Sequence, residues 1–243
     1  MTQRICMWSG PRNISTAMMR SFSSRADCAV SDEPFYGCFL AHSGEPHPMA
    51  AEVIADMDCN WSSVAAHLSG PAPGGEPLWY QKQMTHHMVG PIQPDDLTNC
   101  HHAFLVREPA YMVASYRVKR ESVNVEDLGY ATQRAFFDRI ADQTGHAPPV
   151  VDSADILKNP AKTLALLCDA LNIAWDPAML AWPAGIHPED GIWASHWYDA
   201  VASSTGFQKP DVRPLNLDDE ARAVADACMA DYEHLAQHRI VAP

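Results

Sequence analysis

Two arginines, each followed at short range by hydroxyl side chains, are the groups in this chain best suited to hold a multiply charged anion. Arg12 precedes Ser15 and Thr16, and Arg107 precedes Ser115. A guanidinium fork meets phosphate or sulfate oxygens with parallel N–H donors and keeps its charge at any physiological pH. The first arginine sits in Ser9-Gly10-Pro11-Arg12-Asn13-Ile14-Ser15-Thr16, between a short apolar run (Ile5 to Trp8) and a helix-like run with Met18, Met19 and Phe22 on one face. A strand that turns into a helix N-terminus offers unpaired N–H groups and the positive end of the helix dipole at one spot. The segment therefore reads as a cradle for phosphate or sulfate, with main-chain N–H groups from Asn13, Ile14, Ser15 and Thr16.

Two common phosphate motifs do not fit. Walker A needs a second Gly followed by Lys, and neither is present; the dinucleotide fingerprint needs three glycines, and Gly10 stands alone. Pro11-Arg12-Asn13-Ile14-Ser15-Thr16 instead resembles the 5′-phosphosulfate loop of P-loop sulfotransferases: Pro, a basic residue, two variable residues, then paired hydroxyls. Farther on, FLVREPAYMVASY resembles that family's 3′-phosphate element, with Arg107 at a strand end, Pro109 opening a helix and Ser115 two turns along it. The resemblance runs from residue 4 to about 175 and weakens beyond. It implies 3′-phosphoadenylyl sulfate (PAPS) as donor and adenosine 3′,5′-bisphosphate as product. Arg12, Asn13, Ile14, Ser15 and Thr16 would hold the phosphosulfate, with Arg12 meeting charge on the leaving oxygen, and Arg107 and Ser115 would hold the 3′-phosphate. Ser204 to Lys209 is a loose counterpart of the late basic loop that completes this site, Lys209 being its cation. One departure is Ala17, where many relatives carry an aromatic that stacks on adenine.

The resemblance also implies a base for the acceptor's proton, and the chain offers two. Glu33 lies 21 residues past Arg12, the spacing seen in protein-tyrosine sulfotransferases, whose loop this chain resembles most. His86 and His87 precede Arg107 by 21 and 20, matching the base histidine of small-molecule sulfotransferases. Imidazole titrates near neutrality without special tuning; Glu33 is the preferred candidate. Lys82, on the strand before the histidines, is read as a surface lysine rather than a sulfonate ligand.

These groups need a framework. Apolar strands near Ile5–Trp8, Cys28–Ser31, Leu78–Met84, Ala103–Val106 and Val150–Asp152 alternate with longer helical patterns, including a single helix over Asp127–Gln143. That alternation predicts an α/β protein, a three-layer parallel sheet with helices on both faces, and the resemblance makes it the P-loop, NTPase-like sulfotransferase fold. One domain is expected over residues 1–243, with an irregular, aromatic-rich lid or capping segment at 175–215.

Composition sets the remaining bounds. Formal net charge is −13, which argues against nucleic acid or an anionic membrane surface as partner. No apolar run is long enough to span a membrane, and the polar N-terminus leading into a strand does not suit a signal peptide. The 7 cysteines are scattered without C-x-x-C, so reduced thiols and a cytoplasmic location are expected, and no metal. The acceptor, a small molecule or a peptide, and the oligomeric state are not specified by the sequence. Two competing readings are an ATP-dependent P-loop kinase of related fold and a catalytically decayed nucleotide-binding module.

Overall fold

The computed structural model describes residues 2–209 and 215–241. Five strands, β1 (Gln3–Ser9), β2 (Cys28–Asp32), β3 (Leu78–Met84), β4 (Cys100–Val106) and β5 (Val150–Asp152), form one parallel sheet in the order β2-β3-β1-β4-β5. All five predicted strands are present, two of them longer at their N-terminal ends.

Strand periodicity sorts the core into two layers, because successive side chains point to opposite faces. Cys6, Trp8, Trp79, Phe104 and Val106 face one side; Ile5, Met7, Tyr80, Ala103 and Leu105 face the other. Helix α1 (Ser15–Ser23) covers the second face with Met18, Met19 and Phe22. Burying such side chains contributes ~1.5–3 kcal/mol each. The first face takes α2 (Tyr36–Ser43), which contributes Cys38 to this layer. After α3 (Ala50–Asp56), helix α4 (Trp61–Leu68) adds Val64 and Leu68 to the same face.

Helix α5 (Pro109–Tyr116) begins on a proline whose fixed φ suits a first turn. The helix predicted over 127–143 is two: α6 (Val125–Leu128) and α7 (Tyr130–Thr144). Gly129 separates them at φ 71°, and a Cβ there would meet Thr85 Oγ1 at 2.7 Å and His86 N at 2.9 Å. The break therefore lets the chain pass close under the loop after β3. Phe136 and Phe137 of α7 complete the first face, while α8 (Ser153–Lys158) and α9 (Pro160–Ala170) complete the second with Ile156, Leu164 and Leu167.

The stretch 175–209 holds two short helices, α10 (Ala194–Trp197) and α11 (Asp199–Ala202), and the last helix is α12 (Asp219–Ala236). Residues 210–214 of the expected lid lie outside the described residues. Trp193, Ala194 and Tyr198 pack with Tyr36, Phe39 and Val53 as a small separate core, so this segment caps the sheet's carboxyl edge. Among the described residues, no helix is long and apolar enough to cross a membrane.

Candidate active site

Open parallel sheets bind ligands beyond the strand carboxyl ends, where connections from neighbouring strands diverge. Here that point lies between β1 and β4. The loop after β1 carries Arg12, and the residue after β4 is Arg107. Gly10 is needed for close approach, since a Cβ there would lie 2.6 Å from the Leu128 carbonyl oxygen.

The loop is held in a costly shape. Arg12 and Ile14 both adopt left-handed backbone conformations, φ 54° and 48°, and Ile is β-branched. Such residues cost ~1–3 kcal/mol each and persist only where surroundings fix them. The fixing bonds are visible: Asn13 Nδ2 donates to the Leu105 carbonyl at 2.8 Å, and Arg107 donates to the Arg12 carbonyl at 2.6 Å. Left-handed turns alternating with ordinary ones curl successive N–H groups around an anion. No side chain caps the N-terminus of α1, so its first N–H groups stay available to a ligand.

The two predicted clamps meet. Arg12 Nε donates to Ser115 Oγ at 3.2 Å. Both guanidinium groups are part-buried, and burial lowers the pKa of each from its ordinary value. Among the described residues neither has a carboxylate within ion-pair reach; Asp32, which could have neutralised Arg107, is paired elsewhere. Two desolvated cations without counter-ions are the donor set a phosphate or sulfate ester requires.

Asp32 pairs with Lys82, directly across from it in the β2–β3 register. Lys82 is not a surface lysine. Its side chain is 1% exposed, because every residue of β3 is buried. Its Nζ lies 2.8 Å from Asp32 Oδ1, 2.7 Å from Glu33 Oε1, 3.0 Å from Thr16 Oγ1 and 2.6 Å from the Tyr198 hydroxyl. An ammonium has three donors for these four oxygens, and the Tyr198 hydroxyl itself donates to Asp32. Burial works to lower the Lys82 pKa, but Asp32 and Glu33 outweigh it and the net direction is up. Burial pushes the Asp32 carboxyl up, with Lys82 opposing and Glu33 adding to the rise.

Glu33 follows β2 at φ 45°, with its N–H on the Lys82 carbonyl. Its side chain is 12% exposed against 1% for Asp32. Of the two carboxylates, Glu33 alone lines the cavity. His87 Nε2 lies 3.9 Å from Glu33 Oε2, and its ring stacks on Tyr36 at 4.7 Å. Burial pushes both His86 and His87 well below the ordinary imidazole range, which overturns the expectation that they titrate near neutrality.

One cavity of about 350 Å³ is lined by all of these groups: Arg12, Asn13, Ile14, Ser15 and Thr16, Glu33 and Lys82, His86 and His87, Arg107 and Ser115, and Lys209. Every ligand-holding and base residue expected from the sequence lines it. Asn13 does so with its side chain spent on Leu105, bracing the loop. Lys82, expected at the surface, is buried in the site, and Trp193 and Tyr198 of the expected aromatic-rich segment line the same cavity. A lysine inside a strand otherwise buried on both faces is itself a signal, since such a charge needs a partner; nothing in the spacing of the aromatic-rich segment ties Tyr198 to Asp32 and Lys82.

Residues 3–237 match the family described as "Sulfotransferase domain". The chain belongs to the sulfotransferase family. It is 30% identical over 231 residues to branched-chain-amino-acid aminotransferase-like protein 2 of Arabidopsis thaliana, and 34% identical over 207 residues to protein 1 of that name from the same plant. These alignments cover 95% and 85% of this sulfotransferase-family chain but only 41% and 37% of the relatives, so their name belongs to much longer polypeptides. A sulfotransferase from Alicyclobacillus acidocaldarius shares the fold, with a TM-score of 0.54 at 12% identity over 99% of this chain and 98% of that one.

Proposed function

We propose that the protein moves a sulfuryl group from PAPS to a hydroxyl or amine acceptor and releases adenosine 3′,5′-bisphosphate. The acceptor oxygen or nitrogen attacks sulfur, the bond from sulfur to the phosphate oxygen breaks, and the acceptor proton passes to a protein base. One observation carries this reading: a single cavity joins the uncompensated pair Arg12 and Arg107 to the Lys82–Glu33 ion pair. One end suits a doubly charged nucleotide, and the other suits removal of a proton.

Arg107 and Ser115 hold the 3′-phosphate end. The Asn13–Thr16 main chain and the Ser15 and Thr16 hydroxyls hold the phosphosulfate. Lys82, in contact with Thr16, adds positive charge beside it and so shares with Arg12 the stabilisation of the departing oxygen. Glu33 is the base. Of the two carboxylates beside Lys82 it is the one that faces the cavity, where an acceptor's proton would be released. Imidazoles depressed by burial are poorer acceptors, so His86 and His87 shape the pocket around it.

Calorimetric titration tests the reading. Adenosine 3′,5′-bisphosphate should bind and ATP should not; the reverse preference would favour a kinase. Transfer of radiolabelled sulfate from PAPS to acceptor then separates an active enzyme from a nucleotide-binding module.

A further inference from the structure

We propose that the acceptor is a small aromatic alcohol or phenol bearing a carboxylate, with Arg120 as the group that receives the carboxylate. This rests on the reading of Glu33 as the base.

From Glu33 the cavity wall runs through flat rings. His87 stacks on Tyr36 with the rings 7° apart, and the Tyr36 hydroxyl meets His47 Nδ1 at 2.9 Å. Trp193 stands edge-on to Tyr36 at 5.0 Å, and Trp197 lies 6.5 Å from His47. Walls of this kind accept a ring, because offset and edge-on contacts reward planar partners beyond the area they bury.

Among the described residues this lobe has one cation without a carboxylate partner. Burial holds His47 down at about 4, and His86 and His87 also stay neutral near pH 7. Glu33 is answered by Lys82, and Lys119 by Asp199 at 2.9 Å. Arg120 lines the cavity with its Cζ 5.9 Å from the Trp197 ring, and among the described residues no carboxylate lies within ion-pair reach of it. Its charge belongs to the acceptor side. Its field reaches Tyr36, His47 and His86, and it is not among the neighbours that act on Arg12 or Arg107. The guanidinium lies over the indole face and meets the Tyr116 hydroxyl, and its remaining N–H donors are left for a carboxylate.

The test uses full-length protein saturated with adenosine 3′,5′-bisphosphate, titrated calorimetrically with 4-hydroxyphenylacetate, 4-ethylphenol and tyramine. The carboxylate should bind about tenfold or more tighter than the neutral and cationic phenols. In Arg120→Gln the ratio of carboxylate to neutral affinity should fall toward one. Equal affinities, absent binding of the carboxylate, or a preference that survives Arg120→Gln would overturn the proposal. Failure of the bisphosphate to saturate either protein would instead overturn the reading of the nucleotide site.

Discussion

Arg107 donates to the main-chain carbonyl of Arg12 at 2.6 Å, so the residue positioned for one phosphate also fixes the loop positioned for the other. The carbonyl it holds belongs to a residue at φ 54°. Removing Arg107 takes away a phosphate ligand and a brace on strained backbone together. The two ends of the nucleotide site are thereby mechanically joined.

Arg107→Ala should weaken adenosine 3′,5′-bisphosphate binding by about 100-fold or more, and Arg107→Lys by about tenfold because the fork is lost. Calorimetry measures both. The brace makes a further prediction: adenosine 5′-phosphosulfate, which lacks the 3′-phosphate, should also bind Arg107→Ala more weakly. Undiminished affinity for that compound would mean that Arg107 acts on the 3′-phosphate alone.

Glu33→Gln should reduce kcat by about 100-fold or more, within the range of a general base, with little change in bisphosphate affinity. His87→Asn and His86→Asn should reduce it far less. Single-turnover sulfate transfer with each variant decides the matter. A collapse in His87→Asn with near-normal Glu33→Gln would move the base to the imidazole.

Lys82 answers two carboxylates inside the protein. Lys82→Met should destabilise the fold by ~3–5 kcal/mol, the penalty for leaving a buried charge unpaired. Adding Asp32→Asn should return a large part of that loss, since the more deeply buried carboxylate is then neutral. Urea denaturation of the single and double variants forms the cycle. If Asp32→Asn makes Lys82→Met no more stable, the loss comes from Lys82's packing rather than its charge.

The sheet was legible because strands buried on both faces read as short apolar runs, and all five were found. The arginine–hydroxyl clusters were legible because anion binding demands particular residue types at a helix start. What escaped reading depended on register and distant chain. Lys82 becomes an ion-pair partner only when Asp32 stands opposite it, and the depressed imidazoles of His86 and His87 are buried against Tyr36 and Phe39 from another segment. The break at Gly129 comes from the loop after β3 pressing against it, a contact between segments far apart in sequence.

Acid sensitivity is the last consequence of those buried rings. His102 accepts from Trp8 Nε1 at 3.0 Å through its Nδ1 lone pair, and burial holds its pKa down at about 4; His47 stands at about 4 and His86 and His87 well below the ordinary value of 6.5. As pH falls through 6.5 the unfolded chain takes up protons that the folded chain refuses, so stability present above that pH is lost toward pH 4. Each fully buried imidazole steepens the fall by up to ~1.4 kcal/mol per pH unit. Urea midpoints should therefore drop between pH 7 and pH 4.5. His102→Gln, which keeps an acceptor for Trp8 but does not titrate, should flatten that slope. An unchanged slope in His102→Gln would mean that His102 protonates as readily folded as unfolded, and the Trp8 bond would then not be guarding its lone pair.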